Sequence, residues 1–234
     1  MAQGYLEQLF DADVKDFSDQ LSAKFGQVIA KHGIKDPKVW LATRMRTAAT
    51  GYTHGDAANA HTDTTTRRGY CAPDGRIALY DTTDRATRAH EMVHKMGQEA
   101  GRSGLLVDNA DGTDRGYAIN EGVTETLTTQ LAAPRATAYT AEISAVRELA
   151  RAVGMDTIVE AVLFGHEILA RRVNALGGPD AYDTLIAAMD TRFDAARKKD
   201  LKTQQTCIAK IGKILHEITR VKPAQSGVRD DRSV

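Results

Sequence analysis

The sequence predicts an α+β fold, mostly helical, in which a small mixed sheet and one motif-bearing helix precede a helical C-terminal lobe. Three observations carry this. Apolar residues recur at steps of three and four over long stretches, the stripe of amphipathic helices. Only one segment, RIALY (76–80), has the short apolar character of a strand after a Pro-Asp-Gly turn. Gly-, Asp- and Thr-rich stretches without any period separate the helical runs. At 234 residues the chain is long enough to bury one sizeable core. The expected organisation is one unit over 1–222, with a helical and strand-bearing lobe (1–101), a second lobe (102–222) opening on a glutamate-bearing helix, and a disordered tail (223–234).

Taken in order, Leu6, Phe10, Val14, Phe17, Leu21, Phe25 and Val28 mark a first helix that Gly33 ends. A short helical piece follows around Trp40 to Met45. The segment TGYTHGDAANAHTDTTTRRGYCAPDG (50–75) reads as a long polar loop placed before the RIALY strand, where it could gate a cleft. Its His54 and His61 read as solvated. Thr82 or Thr83 can cap the next helix, with Asp84 in its first turn and a stop at Gly101. Another loop spans 103–117, and its DNADGTD run reads as a turn, since it lacks the alternating oxygen ligands of a calcium loop. NEGVTETLTTQLAA (120–133) forms a second helix before Pro134. From 140 to 219 the pattern is helical, broken at Gly154, at 177–179 and near Asp200.

Thirty-one basic residues balance thirty-one acidic ones, so no overall field draws nucleic acid or an anionic membrane. The late basic run, RKKDLKTQQTCIAKIGK (197–213), reads as the solvated face of a helix. No apolar stretch is long enough for a membrane span, and MAQGYLEQLFDADVKD has acids where a signal peptide is apolar. A cytoplasmic protein is expected, although an effector injected into another cell would read the same. Cys71 and Cys207 stand far apart and outside any CxxC spacing, so free thiols in a reducing compartment are expected.

HEMVH (90–94) carries the chemistry. Residues four apart share one helix face, so His90 and His94 can aim two imidazoles at one metal ion. Glu91, about 100° around the helix from His90, can reach a water at that ion without ligating it. A catalytic zinc needs a third protein ligand and an open position. Glu121 begins the next helix and Glu125 follows one turn later on the same face, so one carboxylate can bind the metal and the other can accept the free ring N–H of a ligand histidine.

HEMVH followed by NEGVTE resembles the gluzincin class of zinc metallopeptidases over roughly residues 75–135. Within that class the spacing from His94 to Glu121 is similar to that of the compact ImmA/IrrE family, from whose pattern Thr124 and Leu131-Ala-Ala-Pro134 depart. The resemblance implies a zincin-like fold, one Zn2+ held by His90, His94 and Glu121, and hydrolysis of a protein or peptide substrate. It implies Glu91 as general base, and a Tyr or His that stabilises the oxyanion: Tyr139 first, with Tyr117 and His166 as rivals. It also makes RIALY the cleft rim that pairs with an extended substrate. A zinc-stabilised regulatory or interaction protein that cleaves nothing is the alternative, and Cys71 is a candidate fourth ligand that would hold the enzyme latent.

Overall fold

The apolar stripe from Leu6 to Val28 becomes the buried face of α1 (Gln3–Ala30) in the computed structural model. The structure describes residues 3–47, 51–54, 69–72, 75–80, 84–99, 102–108, 114–132 and 139–220. After a turn in which Gly33 takes a φ of 79°, α2 (Pro37–Arg46) starts on Asp36, whose carboxylate accepts the Val39 N–H at 3.0 Å. The proline at the first helical position gives up a donor that would have no partner there.

The long polar segment is not simply a loop. It contains β1 (Tyr52–His54) and β2 (Gly69–Cys71), which flank β3 (Ile77–Leu79) in a three-stranded mixed sheet of order β1-β3-β2. β1 runs parallel to β3 and β2 antiparallel. His54 therefore ends a strand, whereas 55–68, including His61, lies outside the described residues. This corrects the expected role of RIALY. Its strand is central, with ladder partners on both sides, and has no free edge for a peptide. Among the described residues the antiparallel edge is β2.

α3 (Arg85–Gly97) carries HEMVH and is capped by Asp84, whose Oδ1 accepts the N–H groups of Ala86 at 2.9 Å and Thr87 at 3.3 Å. Asp84 thus does what Thr82 or Thr83 was expected to do. The helix stops at Gly97, short of Gly101. The chain then leaves it as β4 (Gln98–Glu99), paired antiparallel with β5 (Arg102–Ser103). β6 (Val107–Asp108) and β7 (Asp114–Arg115) form another two-stranded pair where a loop was expected. The centre of DNADGTD, 109–113, is outside the described residues.

α4 (Tyr117–Leu131) holds NEGVTE and begins three residues before the expected start. Among the described residues five further helices follow: α5 (Thr140–Val153), α6 (Met155–Phe164), α7 (Glu167–Gly177), α8 (Ala181–Arg197) and α9 (Leu201–Arg220). The breaks fall at Gly154, after Gly177 and around Asp200, as the sequence suggests. A further one falls at Gly165, with a φ of 133°. One cluster of buried apolar side chains runs from Leu6 to Ile218 and draws on both halves of the chain. No helix among the described residues is long and apolar enough to cross a membrane. The tail expected over 223–234 lies outside the described residues.

Two contacts fix the helices that matter here. Arg88 of α3 donates to buried Asp13 of α1 at 2.6 Å, and the Tyr52 hydroxyl of β1 donates to the same carboxylate at 2.7 Å. Each bond to a charged group contributes about 1.5–3 kcal/mol, and together they tie α3 to α1 and the sheet. On the other side α4 meets α5 at Gly122, where a Cβ would stand 2.9 Å from the Glu142 carbonyl group. Only glycine allows that approach.

Candidate metal centre

His90, Glu91 and His94 are placed by α3, which is buried around most of its circumference between the sheet and α4. The Nε2 atoms of His90 and His94 are 3.1 Å apart. From α4, the Glu121 carboxylate puts Oε2 3.3 Å from His90 Nε2 and Oε1 3.3 Å from His94 Nε2. Two donors bound about 2.0–2.2 Å from one tetrahedral ion lie about 3.3–3.5 Å apart, so these separations fit a single ion shared by all three. These three residues are the group of His, Cys, Asp and Glu side chains, among the described residues, that converges closely enough to hold a metal. Cys71 is not part of it. Its side chain packs against the core, with Sγ 3.9 Å from the Ala72 carbonyl oxygen.

Outer contacts orient these side chains. His90 Nδ1–H donates to Glu125 Oε2 at 2.8 Å, which leaves Nε2 facing the common point. That is the carboxylate–histidine arrangement that fixes tautomer and ring plane in metal sites. His94 Nδ1 lies 3.4 Å from the Thr124 hydroxyl, an acceptor for its N–H, and 3.4 Å from the Asn120 amide nitrogen. Asn120 Oδ1 in turn accepts the Leu105 N–H at 3.0 Å. Thr124 and Asn120 are site residues that the sequence reading missed. Their signal was present: 120, 121, 124 and 125 share one face of α4.

Three carboxylates are buried with His90 and beside the partly buried His94, with Glu91, Glu121 and Glu125 exposed by 7%, 5% and 1%. Burial opposes a charged His90 ring. The hydrogen bonds to Glu121 and Glu125 and the negative charge of Glu91 outweigh that and raise its pKa to about 10. Burial likewise opposes ionised Glu121, yet His94 and His90 hold its carboxyl well below the usual range. A proton and a metal ion therefore compete for His90 Nε2, and a dication would offset the buried negative charge.

Glu91 lies under the edge strand. A Cβ on Gly69 of β2 would stand 2.9 Å from Glu91 Cγ and 3.0 Å from its Oε1, so the backbone of β2 passes directly over this carboxylate. Tyr139, just ahead of α5, stacks on His90 with ring centroids 6.1 Å apart, and its hydroxyl lies within the field of the Glu121 carboxylate. Burial, followed by the charge of Glu121, keeps that hydroxyl protonated well above the ordinary phenol range. Tyr117 sits one ring further out, half-exposed and packed on Phe193. His166 is elsewhere, stacked on Tyr182 and beside Glu167. The arrangement thus brings Glu91, His90, His94, Glu121, Glu125 and Tyr139 together and leaves His166 outside.

No protein-family model, no curated protein and no solved structure matches this chain.

Proposed function

We propose that the chain is a zinc-dependent endopeptidase acting on a protein or peptide substrate. The observation that carries the reading is the convergence of both imidazole Nε2 atoms and the Glu121 carboxylate on one point, with Glu91 on the same helix and unused as a ligand. Two imidazoles and one carboxylate are a donor set suited to a catalytic zinc, which keeps a position open, rather than to a structural zinc closed by four protein ligands. Zinc bound there supplies Lewis acidity and water acidic enough to attack a peptide carbonyl at neutral pH. The gluzincin-like order of the motif, HEMVH then NEGVTE, supports the same class and a zincin-like architecture.

The chain's own residues then divide the work. Glu91 takes the proton of the attacking water and passes it to the leaving amine, as a buried carboxylate beside the reacting atoms can do. Tyr139, stacked on His90, holds its proton and is the donor offered to an oxyanion. Glu125 keeps His90 in the tautomer that presents Nε2. An extended substrate would add to the sheet at β2, whose backbone crosses above Glu91, and backbone pairing there gives affinity with little sequence selectivity.

The test is Glu91→Gln, compared with the parent in zinc titration and against a fluorescence-quenched peptide library. The variant should hold one equivalent of zinc and keep its helical spectrum while turnover falls by about 100-fold or more. Equal turnover by parent and variant would remove Glu91 as the base. Zinc binding without turnover in either would favour the non-catalytic interaction protein.

A further inference from the structure

α4 has a problem at its start that its own sequence does not solve. The first N–H groups of a helix have no partner inside it, and a Ser, Thr, Asp or Asn at the preceding position commonly supplies one. In α4 that position is Gly116, with a φ of 83°. A Cβ there would stand 2.8 Å from the Leu105 carbonyl oxygen, so no capping side chain fits. The acceptor comes from α8. Asp190 Oδ2 accepts the Gly116 N–H at 2.6 Å, and Oδ1 accepts the Ala118 N–H at 2.9 Å. Its negative charge also lies where the helix dipole favours one.

α8 holds the same region at a second level. Phe193, one turn beyond Asp190, packs on Tyr117 with centroids 5.3 Å apart and stacks on Tyr139 at 6.1 Å. Tyr139 in turn stacks on His90. From Ala118, one turn of α4 leads to Glu121. A metal–oxygen bond tolerates about 0.2 Å of error, whereas a slip of one residue along a helix is about 1.5 Å.

We infer that Asp190 is a positioning residue of the metal centre: by capping α4 from α8, it sets where the Glu121 carboxylate stands against His90 and His94. This rests on the metal-binding reading above. It makes α8 part of the site, although α8 itself offers no donor to the metal.

The experiment compares zinc affinity, by competition with a chromophoric chelator, in the parent, Asp190→Asn, Asp190→Ala and Asp194→Asn. Asp194 is an exposed acid one turn along the same helix, so its variant controls for charge alone. Asp190→Ala should weaken zinc binding by about 10-fold to 100-fold, the range for residues that orient metal ligands, and Asp190→Asn should weaken it in the same direction. Both should raise amide exchange at Gly116 and Ala118 in the metal-free protein and alter the visible spectrum of the cobalt-substituted form. Asp194→Asn should match the parent. If Asp190→Ala does not fold, Asp190→Asn carries the test. A folded Asp190→Asn with the parent's zinc affinity and cobalt spectrum would reduce Asp190 to an ordinary structural cap. A parent that binds neither zinc nor cobalt removes the metal reading itself, and the inference with it.

Discussion

The two helices that meet at the candidate metal centre are held in opposite ways. α3 brings its own cap, Asp84, and its helical spacing puts His90, Glu91 and His94 together. α4, which carries Glu121 and Glu125, is capped by Asp190 from a distant helix and wedged against α5 at Gly122. The difference teaches that half of this site is local and half is assembled. The histidine pair needs only a helical α3, while the Glu121 carboxylate reaches it from a helix that the second lobe caps.

The largest expected effect comes from removing a donor on either side. His94→Ala and Glu121→Ala should each abolish stoichiometric zinc binding in a titration that gives one equivalent for the parent, because two donors seldom hold a catalytic zinc. Tight binding by either variant would break the three-donor arrangement. The helices should then part company in their response to packing. Gly122→Val forces a branched side chain against the Glu142 backbone, which cannot move as a flexible side chain would. Overpacking of this kind costs about 1–3 kcal/mol, so the urea midpoint of the metal-free protein should fall and zinc affinity should fall with it. An unchanged midpoint would mean that α4 is not wedged there.

At α3 the corresponding change is milder and should leave the metal alone. Asp84→Ala removes the local cap at a cost of about 1 kcal/mol, read as a lower thermal midpoint. Zinc affinity should stay at the parent value, because Asp13 and the sheet still hold Arg88, and the histidines sit on the second and third turns. A loss of zinc affinity as large as that expected for Asp190→Ala would erase the contrast between a locally and a remotely fixed helix.

What could be read from the sequence follows the same division. HEMVH was legible because an i, i+4 pair needs only a helix to converge, and Glu125 was legible because it shares the Glu121 face. Glu121 itself was reachable through its spacing and the resemblance. Asp190 was not: no local pattern in AYDTLIAAMDTRF tells that the second aspartate caps a helix far away in sequence. The three-residue strands Tyr52–His54 and Gly69–Cys71 were hidden for another reason. They are too short for alternation to register and lie in a Gly- and Thr-rich setting that reads as loop. With them goes the sheet order, so the sequence alone makes the middle strand look like the rim. Thr124 was read as a departure from a family pattern, whereas its hydroxyl faces His94.

The smallest expected effect lies where both helices meet α1. Arg85, the first residue of α3, pairs with Asp16 of α1 and also donates to the Leu131 carbonyl oxygen at the end of α4, at 3.1 Å. The hydrogen bond from Arg85 holds the Asp16 carboxyl below its ordinary value. A carboxyl depressed in the folded state stabilises the protein above the unfolded value and loses that contribution as pH falls through the folded one. Asp16→Asn should therefore lower stability at neutral pH and make no difference once Asp16 is protonated in both states. Because both side chains are about two-fifths exposed, solvent screening limits the difference to less than about 1 kcal/mol. Urea midpoints of parent and variant between pH 7 and pH 2.5 should converge towards the acid end. A gap that stays constant across that range would mean that Asp16 acts through packing and not through its charge, and would leave the Arg85 bond to Leu131 as the contact that joins the self-capped helix to the remotely capped one.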